Sequence, residues 1–131
     1  RLFMCTLITS GIQISVQTQF RPDLSSIVKS EFLFNYRIDI ENTNPFSVQL
    51  MTRDWYIFDS LYTARYVNGE GVVGEQPILK PGESYTYTSG CDLCSEIGMM
   101  KGFYTFKNLV DCELFEVIVP TFKLEYQAKL N

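Results

Sequence analysis

The sequence predicts an all-β fold of many short antiparallel strands, closed as a sandwich or a barrel. Three observations carry the prediction. Several stretches alternate apolar and polar residues with period two, which places every second side chain on one face. Clusters of Gly, Pro, Asn and Asp punctuate the chain at intervals of roughly eight to twelve residues, the spacing of turns in all-β domains. Aromatic residues make up 15% of the chain, with ten Phe and eight Tyr. Together with the β-branched residues they suit pleated, half-buried surfaces. No stretch sustains a helical period.

Taken in order, Ile12 to Phe20 alternates almost throughout and stops at Arg21-Pro22-Asp23. Leu24 to Ser30 reads as a loop with room for one helical turn. Glu31 to Asn42 sets Phe32, Phe34, Tyr36, Ile38 and Ile40 on one face, with Asn35, Arg37, Asp39 and Glu41 on the other. Asn42-Thr43-Asn44-Pro45 is a turn. In Val48 to Asp59 the parity slips: Val48 and Leu50 share one phase, Trp55 and Ile57 the other. A bulge or bend near Thr52 to Asp54 accounts for the slip, and Trp55 just beyond it reads as a core residue between two sheets. Arg65-Tyr66-Val67 is a short strand into a glycine loop. Pro77-Ile78-Leu79 can pair only at an edge. Ser84 to Ser89 places Tyr85 and Tyr87 on one face, and a loop is expected from Gly90 to Gly98. Gly102 to Leu109, Glu113 to Val119 and Phe122 to Ala128 complete the strands, with Pro120 separating the last two. No repeat or linker divides the 131 residues, so one domain over residues 1–131 is expected, large enough to bury a core. Residues 1–10 read as an N-terminal extension or tag-like start, with Met4 a candidate natural first residue.

Composition excludes several function classes. The chain has no histidine, which removes imidazole acid–base catalysis, Ser-His-Asp and Cys-His nucleophile systems, and mixed Cys/His zinc sites. Formal net charge is −4 and the basic residues are scattered, so neither a nucleic-acid backbone nor an anionic membrane surface finds a footprint. No apolar run approaches the ~20 residues that span a bilayer. The start lacks a signal-peptide pattern, and the chain reads as cytoplasmic. Carboxylates are plentiful, but nothing in the sequence pairs two of them in a pocket. Cys91-Asp92-Leu93-Cys94 has the spacing of a redox or zinc pair, yet it follows no parallel strand into a helix, and Cys5 and Cys112 lie on distant segments. Free thiols, no metal, no cofactor and no enzymatic activity are the expectations.

The most suggestive string is Gly69-Glu70-Gly71-Val72-Val73-Gly74, a complete Gly-x-Gly-x-x-Gly. A dinucleotide site needs a helix to open there, so that its first amides hold the pyrophosphate. Pro77, Pro81 and Gly82 leave no room for one, and Glu70 and Glu75 would repel phosphate. The glycines are therefore expected to supply positive φ for a tight loop between strands. A nest of backbone amides that binds an anion stays open as an alternative.

These residues also carry a resemblance. Val67 to Pro77, Pro81-Gly82-Glu83, Tyr85 to Gly90 and Gly98 to Tyr104 follow one another as in the ApaG family. Gly11 to Gln19, Tyr36 to Asn42 and Val119 to Phe122 are similar to its opening, second and closing strands. The resemblance covers nearly everything from Gly11 onward. It implies an immunoglobulin/fibronectin type III-like antiparallel β-sandwich with Phe34, Tyr36, Ile38 and Trp55 between the sheets. It also implies a protein-interaction module, found alone in bacteria and within larger eukaryotic proteins, and associated by name and gene neighbourhood with cobalt resistance, magnesium efflux and diadenosine tetraphosphate metabolism. One departure stands out: where ApaG relatives read Arg-His-Trp, this chain has Arg53-Asp54-Trp55.

Two readings of function follow. The first is a non-catalytic binding module whose partner is a protein. Its candidate residues are Gly69, Glu70, Gly71, Val72, Val73, Gly74, Glu75 and Gln76 in the loop, with Arg53 as a neighbour. Val72-Val73 on an exposed loop calls for cover by a partner, by a second copy in a homodimer, or by the chain's own sheet edge. The second reading is an anion or nucleotide, such as a dinucleoside polyphosphate, held by the Gly69–Gly74 loop with Arg65, Lys80 or Arg53 beside it.

Overall fold

The alternating stretches become strands whose inward residues meet across a sandwich. A computed structural model describes residues 3–127. Its strands are β1 (Phe3–Thr9), β2 (Ile12–Phe20), β3 (Phe32–Asn42), β4 (Val48–Asp59), β5 (Arg65–Glu70), β6 (Ile78–Leu79), β7 (Ser84–Leu93), β8 (Ile97–Asn108) and β9 (Leu114–Glu125). One sheet runs β1-β2-β3-β7 and the other β5-β4-β8-β9, with β6 also paired to β4. Every pairing is antiparallel. The fold is an immunoglobulin/fibronectin type III-like β-sandwich. The helical turn falls earlier than the expected Leu24–Ser30 stretch: a single 3₁₀ turn spans Pro22–Leu24, and residues 25–30 form turns and one isolated bridge. Among the described residues no helix is long and apolar enough to cross a membrane.

The two inner faces close over a continuous apolar layer. From the first sheet it receives Ile12, Ile14, Val16, Phe34, Tyr36, Ile38 and Ile40; from the second, Leu50, Trp55, Tyr104, Phe106, Val117, Val119, Phe122 and Leu124. Trp55 sits at its centre, its ring edge-on to Tyr36, Tyr104 and Phe122 at centroid separations of 5.6, 6.1 and 5.9 Å. The hydroxyls of Tyr87 and Tyr104 satisfy each other inside the core, and burial pushes both phenols well above their ordinary range.

Several sequence boundaries are corrected. Within the stretch read as an N-terminal extension, Phe3–Thr9 pairs residue by residue with Ile12–Thr18 as an edge strand, while Arg1 and Leu2 lie outside the described residues. The expected loop from Gly90 to Gly98 is mostly strand, because β7 runs on to Leu93 and β8 begins at Ile97. Pro120 does not separate two strands. It lies within β9, where the register against β8 shifts between Met100 and Gly102, so the missing amide falls in a bulge at a sheet edge. Ala128 lies outside the described residues. The bulge in β4 falls slightly earlier than expected. Leu50 pairs with Phe106 and Thr52 with Thr105, which leaves Met51 as the extra residue.

Candidate functional site

The glycine loop is mounted on that bulge. Strands β5 and β6 share one side of β4: β5 pairs with Thr52–Ile57, and β6 with Val48 and Gln49. The chain between them crosses the gap at Met51. The Met51 carbonyl accepts from the Gly71 amide and from Gln76 Nε2, each at 2.9 Å. Nearby, Gln49 Nε2 donates to the Gln76 carbonyl at 3.1 Å, and the Leu50 amide donates to the Pro77 carbonyl at 3.0 Å. The tip is a two-residue hairpin turn. Val72 and Glu75 exchange amide-to-carbonyl bonds of 2.8 and 2.9 Å around Val73 at φ 43° and Gly74 at φ 81°. Positive φ at both central residues marks a type I′ turn, the form that matches strand twist.

This geometry divides the sequence candidates. Gly71, at φ 63°, has no space for a side chain: a Cβ there would lie 2.1 Å from the Glu75 carbonyl oxygen. Gly69 is not a positive-φ residue but a strand residue under Arg53, whose Nη1 would stand 2.9 Å from an added Cβ. Val72 is fully buried and belongs to the core, so the expected exposed Val72-Val73 pair is reduced to Val73. Gln76 is exposed, but its amide is engaged on Met51. Glu70, Val73, Gly74 and Glu75 are exposed, and among the described residues neither loop glutamate side chain makes a hydrogen bond or ion pair. The amides of Gly71, Val72 and Glu75 are committed within the protein, so these three are not donors for an anion nest.

Arg53 ties the loop to β4. Its Nη1 donates to the carbonyls of Glu70 and Gly71, both at 2.9 Å. Asp54 faces the other way and accepts a hydrogen bond from the Tyr66 hydroxyl, a bond that pushes the Tyr66 phenol up. The Arg-His-Trp motif of the resemblance thus separates here into a loop clasp, an outer-face carboxylate and a core indole.

Behind the clasp lies a cleft of about 280 Å³ where β4 and β5 face β7 across the open side of the sandwich. Arg53 lines one end. At the other, Arg65 on β5 reaches across to β7, donating from Nη2 to the Asp92 carbonyl at 2.5 Å and from Nη1 to its carboxylate at 3.3 Å. The sequence names Arg65 only as a basic neighbour; its sheet-bridging role depends on β7 extending to Leu93. The two cysteines of Cys-x-x-Cys part company at this point. Cys91 is buried on the inner face of β7, whereas Cys94 is exposed past the strand's end. Among the described residues no three His, Cys, Asp or Glu gather as a metal would need.

Burial pushes the Cys91 thiol up to about 11. The thiol form therefore persists below that pH, and the thiolate needed for alkylation is scarce. Under mildly alkaline conditions iodoacetamide is expected to label Cys94 and Cys112 promptly and Cys91 last, by peptide mass mapping of the folded chain. Equal rates for Cys91 and Cys94 would contradict this placement.

Comparison with known proteins places these features in a wider set. The family model described as the ApaG domain matches residues 22–108, a span holding Arg53, the cleft and the glycine loop. Protein ApaG of Methylobacterium radiotolerans is 43% identical over 117 residues, 89% of each chain. Protein ApaG of Afipia carboxidovorans is 43% identical over 122 residues, 93% of each. Among solved structures, an ApaA protein from Bordetella pertussis aligns with a TM-score of 0.84 at 37% identity, across 87% of this chain and 92% of that one. A second X-ray structure, of a structural-genomics target, aligns at 0.83 and 35% identity, across 92% and 90%. With the family model matching two thirds of the chain and relatives 43% identical across about nine-tenths of it, the chain belongs to the ApaG domain family.

Proposed function

We propose that the chain acts as a single non-catalytic domain that binds a protein partner in the cytoplasm through the tip of the glycine loop. One observation carries the reading. Val73 is a β-branched residue at φ 43°, more than half exposed, in a turn position that Asn, Asp or Gly would occupy without strain. Folding gains nothing from an apolar side chain there, and backbone strain of this kind concentrates at functional sites. Glu70 and Glu75 beside it complete an acidic rim around one apolar tip. The pinned backbone presents that tip with little ordering left to lose on binding, which favours affinity. The family's link to magnesium and cobalt homeostasis would then run through the partner.

The test is Val73→Asn. It is expected to raise stability by about 1 kcal/mol, a Tm increase of roughly 3–5 °C, by relieving the strain. In affinity capture from lysate of the source organism, the same variant and a Glu70→Ala/Glu75→Ala double variant should recover less of a specific partner than the parent. Equal recovery by all three chains would place recognition elsewhere.

Self-association is a second reading with its own observation. The edge strand β1 carries no charged residue and exposes Met4 and Ile8, leaving unpaired backbone groups without the charges that usually guard an edge. Light scattering of the parent and of Ile8→Lys decides between monomer and homodimer.

A further inference from the structure

We infer that the cleft between β5 and β7 is a binding site for a singly charged carboxylate carried on a short apolar stem, with Arg53 as its anchor. Charge accounting comes first. Three ion pairs form among the described residues: Arg21 with Asp23, Arg37 with Asp39, and Arg65 with Asp92. Arg53 is in none of them, although it is partly buried in a chain of net charge −4. A guanidinium carries five N–H donors in a planar fork. Only Nη1 is used internally, on the Glu70 and Gly71 carbonyls. The one buried side-chain polar atom without a partner among the described residues is Asp59 Oδ1, so the remaining Arg53 donors are not sealed in the core. They belong to a side chain that lines the cleft.

The walls specify the rest of the ligand. Ser89, on β7, adds a hydroxyl to the polar end; half-exposed Val67 offers apolar surface, over a nearly buried floor of Trp55, Ile57 and Met100. A volume of about 280 Å³ lies at the small end of the ~300–1,000 Å³ range of common ligand pockets and suits a group of side-chain size. Arg65 is already matched by Asp92, which leaves one unmatched positive charge. A polyphosphate would bring several negative charges toward that single guanidinium and the Asp92 carboxylate. One carboxylate balances it, accepting the two parallel N–H bonds that an arginine fork gives best. Two sources supply this chemistry: a free branched-chain acid, or the C-terminal carboxylate of a peptide ending in a residue such as leucine.

The experiment records ¹H–¹⁵N correlation spectra of the full chain during titration with N-acetyl-leucine, N-acetyl-leucinamide, inorganic phosphate and an acetylated pentapeptide ending in leucine. N-acetyl-leucine should shift the Trp55 indole and the Gly90 and Cys91 amides with a dissociation constant on the order of 1 mM, as expected for a ligand of this size. The amide and phosphate should leave those signals in place. A pentapeptide that binds at least ten-fold more tightly identifies the source as a chain terminus; equal affinity identifies the free acid. Arg53→Lys should weaken binding about ten-fold, because the fork is lost and the charge kept. Since Arg53 also holds the loop, Ser89→Leu serves as the second variant. It occupies the cleft without touching that clasp, and should abolish the shifts while thermal unfolding confirms the fold. Val73→Asn should bind the acid as the parent does, which separates this site from the loop reading. Equal shifts with N-acetyl-leucine and its amide, or no shift with either, overturn the assignment. So does unchanged binding by a folded Ser89→Leu chain.

Discussion

Trp55→Ala is expected to lower the stability of the chain by about 4 kcal/mol, the range for truncating a buried aromatic to alanine. Domains of this size hold on the order of 5–15 kcal/mol in all. The loss has two parts. The transfer energy of the indole disappears, and a cavity opens where Tyr36, Tyr104 and Phe122 met it edge-on. These partners come from both sheets, so neither sheet can close the gap without moving against the other. Tyr56→Ala is the control. Tyr56 neighbours Trp55 on β4 but is more than a third exposed, and its ring lies against Tyr66 on the outer face. It should cost about 1 kcal/mol, in keeping with one exposed aromatic contact. Urea unfolding of both variants measures the contrast. A Trp55→Ala loss no larger than that of Tyr56→Ala would mean that the indole is not the centre of the core.

Gly71→Ala should be the most damaging change in the loop, costing about 3 kcal/mol. Two effects combine: a non-glycine residue at positive φ loses about 1–2 kcal/mol, and the Cβ would meet the Glu75 carbonyl 2.1 Å away. Backbone cannot yield as a side-chain tip would, so the turn must open and give up one or more bonds worth about 1 kcal/mol each. Gly74→Ala isolates the first effect, since at φ 81° its added Cβ meets nothing within 4 Å, and about 1 kcal/mol is expected. The difference between the two, read from urea midpoints, measures the closeness of the loop to itself. Equal losses would show that the turn relaxes freely around Gly71. Hydrogen exchange adds a second readout. In Gly71→Ala the amides of Val72 and Glu75 should lose protection ahead of the core strands, because the loop can open locally.

The strands were readable wherever burial imposes period two. β3 alternates without a fault, and its five inward residues from Phe32 to Ile40 are the ones buried. The parity slip in β4 announced a bulge to within a residue or two. What the sequence concealed has physical reasons. β1 carries no alternation because its outward Met4 and Ile8 are as apolar as its inward Leu7. Pro120 reads as a break because one residue's preference cannot show that a bulge absorbs it at an edge. In the loop, the glycines signalled tight turns, but they could not show that Gly69 is bare to admit Arg53, that Val72 is buried, or that the Gln76 amide is engaged on the Met51 carbonyl. The cleft was least legible of all. It joins Arg53, Arg65 and Ser89 from three strands, and only the pairing of β7 with β3 and of β5 with β4 brings them to the same opening.

The extra residue in β4 also governs which changes in chain length the protein can survive. Met51 stands outside the alternation: Leu50 and Thr52 pair with consecutive residues of β8, so a chain lacking Met51 keeps Trp55 and Ile57 pointing inward. Deleting one residue from the regular run between Thr52 and Ile57 would instead turn part of the strand inside out, because facing reverses with every single step. β4 therefore has one position where a residue can be lost without inverting the core. At that position the whole loss falls on the carbonyl that Gly71 and Gln76 hold. A single deletion thus separates what makes the sandwich fold from what fixes its loop, and length variation at this point offers relatives of the same fold a route to a differently mounted tip.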